Sequence, residues 1–239
     1  MIKLEKTKVV GWEEAIRGMR NPMNSWERSD SLFLDYQYCD EDEDLRLAEL
    51  CGDVVPIIKG SDHDLMMRLA AGGPVHAKYR RMITVYVDIT APLYWWKEFD
   101  TYKVGTVANS CSTMHKIHEK EFTLDDFSCE NLAHELLEGA AIDDPIEEYY
   151  DCYPKEILNW VIRSLNKNRE KFLETKDKKY WWQMIQLLPS SYNQKRTVML
   201  NYEVLAGIYP MRKNHKLDEW VEFCKWIEEL PYSEIIIGE

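Results

Sequence analysis

Apolar and polar residues alternate from Met82 to Ile89, with Ile83, Val85, Val87 and Ile89 on one side and Met82, Thr84, Tyr86 and Asp88 on the other. A period of two with β-branched residues on one face predicts a strand that buries one side. Residues 2–10 predict a short opening strand. Helical spacing takes over elsewhere. Ile16 and Met19 predict a helix from Trp12 to about Met19, stopped at Asn21-Pro22 because the residue before proline avoids the helical region. Asp62 to Ala71 predicts another helix, ended by Gly72-Gly73-Pro74. Ala91-Pro92 is placed in the first turn of a helix whose Leu93, Trp96 and Phe99 carry the spacing to about Tyr102.

The second half is more strongly helical. Leu158, Val161, Ile162, Leu165 and Phe172 predict a helix from Ile157 to about Leu173, and Tyr180 to Leu187 a second, closed by Pro189. Val198, Tyr202, Leu205 and Ile208 predict a third, ended by Pro210. Leu217, Trp220, Val221, Cys224 and Ile227 predict the last, and 233–238 an edge strand or tail. Residues 116–153 are acidic and predict a surface-exposed, partly helical insertion. The class is α+β with helix in excess, expected as a single domain over 1–239 with an insertion at about 116–180.

Charge narrows the partners. The 239 residues hold 30 Lys plus Arg against 42 Asp plus Glu, a net charge of -12, which argues against a sequence-independent grip on nucleic acid. No stretch is long and apolar enough for a membrane span. Met1 to Lys6 lacks the apolar core of a signal segment, so a cytoplasmic protein is expected. The six cysteines form no C-x-x-C pair and read as reduced, buried or semi-buried thiols. The run Asp40 to Asp44 reads as the solvated first turn of a helix, not a metal cage. His115 and His118 lack further ligands at matching spacing and read as a polar surface pair. Met66-Met67 reads as core filler. No metal site is expected.

No G-x-G-x-x-G, G-x-x-x-x-G-K-[ST] or G-x-S-x-G occurs. Two polar segments remain. From Lys97 to His115 the chain carries small hydroxyl and amide residues with no apolar period, rich in donors for a phosphate or a base edge. From Tyr209 to Lys216 it sets Arg212, Lys213, His215 and Lys216 at an expected helix N-terminus, which reads either as an arrangement for holding phosphate or as a solvated basic turn.

The run Val87-Asp88-Ile89-Thr90-Ala91-Pro92, the helix after it and the polar loop with Asn109 and Ser112 resemble the flavin-dependent thymidylate synthases. Gly73 and His76 match a Gly and His ahead of the strand. Leu187-Leu188-Pro189, Asn201, and Arg212, His215 and Trp220 match further segments in order. The resemblance covers about residues 10–115 and 181–230. The chain departs from the family signature at Thr101-Tyr102-Lys103, where the family has R-H-R, at Ser110, and at Met114-His115, where the family has Arg-Tyr. One extra residue lies between Lys103 and Asn109. Lysine binds as a point charge where arginine offers a fork, so the chain resembles a divergent, phage-type member.

The resemblance implies a central antiparallel or mixed sheet with packed helices, a homotetramer, and reductive methylation of dUMP to dTMP. FAD is the cofactor, with NADPH and methylenetetrahydrofolate as co-substrates and no enzyme nucleophile. Glu98, Asn109, Ser110, Ser112, Thr113 and Arg212 would bind the nucleotide. Ser112 and Thr113 would meet its phosphate, and Glu98 would accept from the uracil N3–H. His76, Thr101, Tyr102, Lys103, Asn201 and His215 would line the flavin, with Tyr102 stacking. Cys111 would be small filler. Lys103, Lys195, Arg196, Arg212, Lys213 and Lys216 would form one basic cleft. Trp95-Trp96 and Trp181-Trp182 would pack a core or a tetramer interface. The altered signature also implies two other readings: a nucleotide-binding or assembly protein that has lost the flavin chemistry, and an enzyme with another one-carbon outcome, such as hydroxymethylation.

Overall fold

A computed structural model describes residues 1–38, 42–133 and 153–238. In chain order the elements are β1 (Lys3–Val10), α1 (Trp12–Arg20), β2 (Leu32–Asp35), α2 (Asp42–Cys51), β3 (Val54–Ile57), α3 (Gly60–Ala71), β4 (Thr84–Pro92), α4 (Leu93–Phe99), β5 (Val107–Ser110), α5 (Thr113–Lys116), α6 (Pro154–Thr175), α7 (Lys178–Leu187), β6 (Asn193–Asn201), α8 (Tyr202–Arg212), α9 (Asp218–Glu228) and α10 (Glu234–Ile237). Four strands form a sheet in the order β1-β4-β6-β5. The described chain divides into two compact units. The larger holds residues 2–38, 42–90, 98–109 and 195–238, the smaller residues 1, 91–97, 110–133 and 153–194.

In the larger unit β1 pairs antiparallel with β4, with Val9 opposite Val85, and the register shifts between Glu5 and Lys8 where Lys6 takes φ 54°. The alternation along β4 has its expected consequence: Ile83, Val85, Val87 and Ile89 are all fully buried. Burying such a side chain is worth about 1.5–3 kcal/mol, so this one face is a large part of what holds the sheet to its helices. Gly11 sits between β1 and α1 at φ 92°, and a Cβ there would come within 2.2 Å of the Met82 carbonyl oxygen, so only glycine fits this corner. β2 and β3 form a separate antiparallel pair, with Ala48 of α2 packed on Val55. The buried Asp62 accepts from Arg20 Nε at 2.6 Å, from Ser29 Oγ at 2.8 Å and from the Asp30 and Ser31 amides at 3.0 Å. Burial opposes its charge, but the hydrogen bonds from Ser31, Ser29 and Arg20 prevail and hold the carboxyl below its usual range.

The smaller unit has its own core. Ile117, Phe122 and Phe127 are buried with Leu158, Ile162 and Leu165 of α6 and Met184 of α7. The start of the acidic segment is therefore not wholly surface-exposed: Ile117, Phe122 and Phe127 are core, and Leu124 and Leu132 pack against them. Residues 134–152, nearly all the rest of that segment, lie outside the described residues, as do Asp40 and Glu41 of the earlier acidic run and its neighbour Cys39.

Several boundaries differ from expectation. Ala91-Pro92 closes β4 instead of opening α4; both residues are buried. The polar stretch after α4 contains β5 and α5, the first paired at a sheet edge. The helix expected from Val198 is a strand as far as Asn201, and α8 begins only at Tyr202. Asn201 makes that break, because its Oδ1 accepts from the Val204 amide at 3.1 Å as an N-cap. Pro210 does not end α8. It stands in the last turn, and the helix runs to Arg212. Residues 233–238, expected as a strand or tail, hold the short helix α10, with Ile235 and Ile236 buried. The short pairs β2 and β3 were not anticipated. Trp95 and Trp96 are buried core residues, whereas Trp182 is 41% exposed. Met66 is fully buried, as expected of core filler.

Candidate functional site

Arg212, on the last turn of α8, is the centre of a polar cluster in the larger unit. Its Nη1 donates to Glu98 Oε2 at 2.6 Å and its Nε to the Tyr102 hydroxyl at 2.8 Å. Its guanidinium carbon lies 4.4 Å from the Trp220 ring centre, within cation–π range. Trp220 Nε1 donates to the same Glu98 oxygen at 3.1 Å. His215 Nδ1 accepts from the Leu217 amide at 3.2 Å, which leaves the proton of a neutral ring on Nε2, 3.6 Å from Glu98 Oε2. Trp220 is fully buried against Phe99 and Phe223, so this network rests on a rigid aromatic base.

The arrangement corrects two expectations. Arg212 stands at a helix C-terminus, not an N-terminus. There its charge suits the helix dipole, and stability alone accounts for part of its placement. Half of the cations expected in a basic cleft are neutralised: Arg196 pairs with Asp100 at 2.7 Å, Lys195 with Asp88 at 3.1 Å, and Arg212 with Glu98. Hydrogen bonds from Thr197 and Lys195 hold the Asp88 carboxyl below its usual range.

Beside this cluster, within the same unit, lies a cavity of about 510 Å³. Thr101, Tyr102, Lys103 and Asn201, four of the six residues expected at the flavin, line it together. Arg81, Val104, Gly105, Glu203, Val204 and Gly207 contribute the rest of the lining. Gly105 takes φ 80°, and a Cβ there would meet Val204 Cγ2 at 3.0 Å and Asn201 Nδ2 at 3.1 Å, so glycine lets the turn close against α8. Gly207 is the opposite case: nothing lies within 4 Å of where its Cβ would be, and the missing side chain widens the cavity.

The other expected residues lie elsewhere. His76 lines a different cavity, of about 810 Å³, with Arg20, Arg28, Arg68 and Lys78. Asn109 is exposed on β5. Ser110, Ser112 and Thr113 belong to the smaller unit, where Ser112 Oγ caps α5 by accepting from the His115 amide at 3.0 Å. Cys111 is exposed and fills nothing. Cys51 and Cys224 are buried, and burial pushes their thiols up to about 12 and about 11. His115 and His118 share a cavity of about 290 Å³ with Phe172 and Trp181. Among the described residues no group of three or more His, Cys, Asp or Glu could hold a metal, and no helix is long and apolar enough to cross a membrane.

Sequence reasoning missed Arg81, Glu203 and Gly207. Arg81 precedes the clearest strand and Glu203 follows the matched Asn201 by two residues, but neither carries a pattern of its own.

No family model and no curated protein matches the chain. Solved structures do. Thymidylate synthase X (ThyX) from Helicobacter pylori, with FAD and dUMP, aligns over 100% of this chain and 98% of that one at a TM-score of 0.60 and 14% identity. The UMP/dUMP methylase PolB from Streptomyces cacaoi, bound with 5-Br dUMP, aligns over 99% of this chain and 93% of that one at a TM-score of 0.55 and 10% identity. The chain has the fold of the flavin-dependent thymidylate synthases, helix-rich around an antiparallel sheet.

Proposed function

We propose that the protein is a flavin-dependent enzyme that methylates dUMP at C5, with methylenetetrahydrofolate as one-carbon donor and NADPH as reductant, acting as a homotetramer. The observation that carries this reading is the 510 Å³ cavity, whose walls gather Thr101, Tyr102, Lys103 and Asn201 on a fold shared along its whole length with an FAD- and dUMP-bound enzyme. The lining suits a flavin. Tyr102 offers a ring face for stacking, Lys103 and Arg81 offer cations for a diphosphate, and the gap at Gly207 leaves room beside α8. When bound, the flavin would supply the reducing equivalents; the protein's part is positioning and electrostatics. Arg212 would face the nucleotide, held ready by Glu98, Tyr102 and Trp220. Asn109, Ser110, Ser112, Thr113, His76 and His215 remain proposed ligand residues on the family resemblance alone.

One feature favours a second reading. Arg212 already has a carboxylate, a phenol and an indole as partners. A guanidinium so engaged fits a protein that keeps the scaffold and binds nucleotide without methyl transfer. The test is direct. Purified protein should bind FAD and, with NADPH and methylenetetrahydrofolate, release tritium from dUMP labelled at C5. FAD and dUMP binding without release would select the second reading, and failure to bind either would remove both.

A further inference from the structure

Among the described residues, every hydrogen-bond donor to the Glu98 carboxylate lands on one oxygen. Oε2 accepts from Arg212 Nη1 at 2.6 Å and from Trp220 Nε1 at 3.1 Å. Oε1 has no hydrogen-bond partner among the described residues, and it is open to solvent. Across the ion pair, Arg212 spends Nε on the Tyr102 hydroxyl and Nη1 on Glu98. Its Nη2 has no hydrogen-bond partner among the described residues and is likewise open. The pair therefore leaves one acceptor and one donor unspent, on two groups already bonded to each other. The fully buried Trp220 holds both of them, one through its indole N–H and the other through its ring face. An ionised carboxylate accepts and never donates, so Oε1 calls for an N–H or O–H on whatever meets it.

A pyrimidine that meets this pair must offer a donor beside an acceptor. Uracil does so with N3–H and one carbonyl, but its second carbonyl also flanks that N–H and is repelled by the carboxylate. Cytosine does so with its N4 amine and N3, and the other neighbour of the amine is C5–H, which does not repel an anion. Carboxylates accept from cytosine N4 in the same way where proteins read base edges. We propose that the site takes a cytosine nucleotide, dCMP, as well as dUMP, with Glu98 Oε1 accepting from the N4 amine and Arg212 Nη2 donating to N3. The inference rests on the reading above that Arg212 faces the nucleotide. It widens the range of bases that the site admits and makes Glu98 the residue that sets it.

Glu98→Gln tests this by exchanging one atom. Arg212 and Trp220 both donate to Oε2, so the carboxamide oxygen takes that position and the NH2 takes that of Oε1, turning the open acceptor into a donor. Dissociation constants for dCMP and dUMP are measured by calorimetry on the full chain, wild type and variant, with FAD present and absent. The wild-type protein should bind both nucleotides and favour dCMP. Glu98→Gln should move the ratio of the two affinities towards dUMP by about tenfold or more, because uracil O4 suits the new donor and the cytosine amine opposes it. Should Glu98→Gln fail to fold, Glu98→Ala makes the same comparison and should lose the preference for dCMP. A wild-type preference for dUMP, or a ratio that the substitution leaves unchanged, overturns the assignment while the functional reading stands. If neither nucleotide binds the wild-type protein, that reading falls as well.

Discussion

Arg212 Nη1 lies 2.6 Å from Oε2 of Glu98, a contact between residues 114 positions apart that ties the last turn of α8 to the end of α4. Glu98 is 37% exposed and Arg212 16%, so the pair is only partly desolvated. An ion pair of this kind adds little stability by itself, about 0–1 kcal/mol. Its larger effect is to fix where the guanidinium points. Arg212→Ala should therefore melt close to the wild-type temperature yet lose the upward shift in melting temperature that dUMP produces, because a ligand stabilises only a state that binds it. Thermal denaturation with and without dUMP checks this. A full shift in the variant would remove Arg212 from the nucleotide site.

The Arg20–Asp62 pair predicts an acid-dependent stability. The Asp62 carboxyl titrates below its unfolded value of about 3.9, so its stabilisation is complete well above that pH and is lost as pH falls through the lower folded value. Asp62→Asn leaves the buried Arg20 without its counter-charge and should cost about 3–5 kcal/mol near neutrality. Urea midpoints measured between pH 3 and 7 should fall with acid in the wild-type protein and fall less steeply in the variant.

Gly207 separates folding from binding. Gly207→Ala places a methyl in open space within a helix and should raise stability by roughly 0.5–1 kcal/mol. Gly207→Leu should fold but fill part of the cavity, and FAD titration should then show weakened binding. Unchanged FAD affinity in Gly207→Leu would place the flavin elsewhere.

Thiol reactivity should sort the cysteines. Cys111 is exposed, whereas Cys51 and Cys224 are buried with thiols pushed up to about 12 and about 11. Maleimide mass labelling of the native protein at neutral pH should modify Cys111 first and reach Cys51 and Cys224 only on unfolding.

The legible parts of this fold were those where one period ran undisturbed. Val85, Val87 and Ile89 announced β4 because every inward position is apolar. β6 hid because its inward positions begin with polar residues: Gln194 is buried, yet only Val198 and Leu200 show the alternation. Val198 also stands four residues before Tyr202, so its strand position mimicked the next helix. In α10 the run Ile235-Ile236-Ile237 favours strand by intrinsic preference, and burial of Ile235 and Ile236 decided otherwise. The residues gathered at the cavity, from Thr101 to Asn201, were named from the family resemblance. Their mutual geometry was not readable, because nothing local links Glu98 to Arg212, or marks Glu203 as a wall residue. The pairing of Lys195, Arg196 and Arg212 was invisible for the same reason: charge counts along the chain do not reveal that Arg196 and Asp100 meet.

Tyr102 belongs to both halves of the site. Its hydroxyl accepts from Arg212 and its side chain lines the cavity. A ligand that shifts the guanidinium therefore disturbs the ring against which a second ligand would lean. Any such energetic coupling must be equal in both directions. If both proposed ligands bind, the phenol would make them thermodynamic neighbours without their touching, and the affinity for each would depend on whether the other had already arrived.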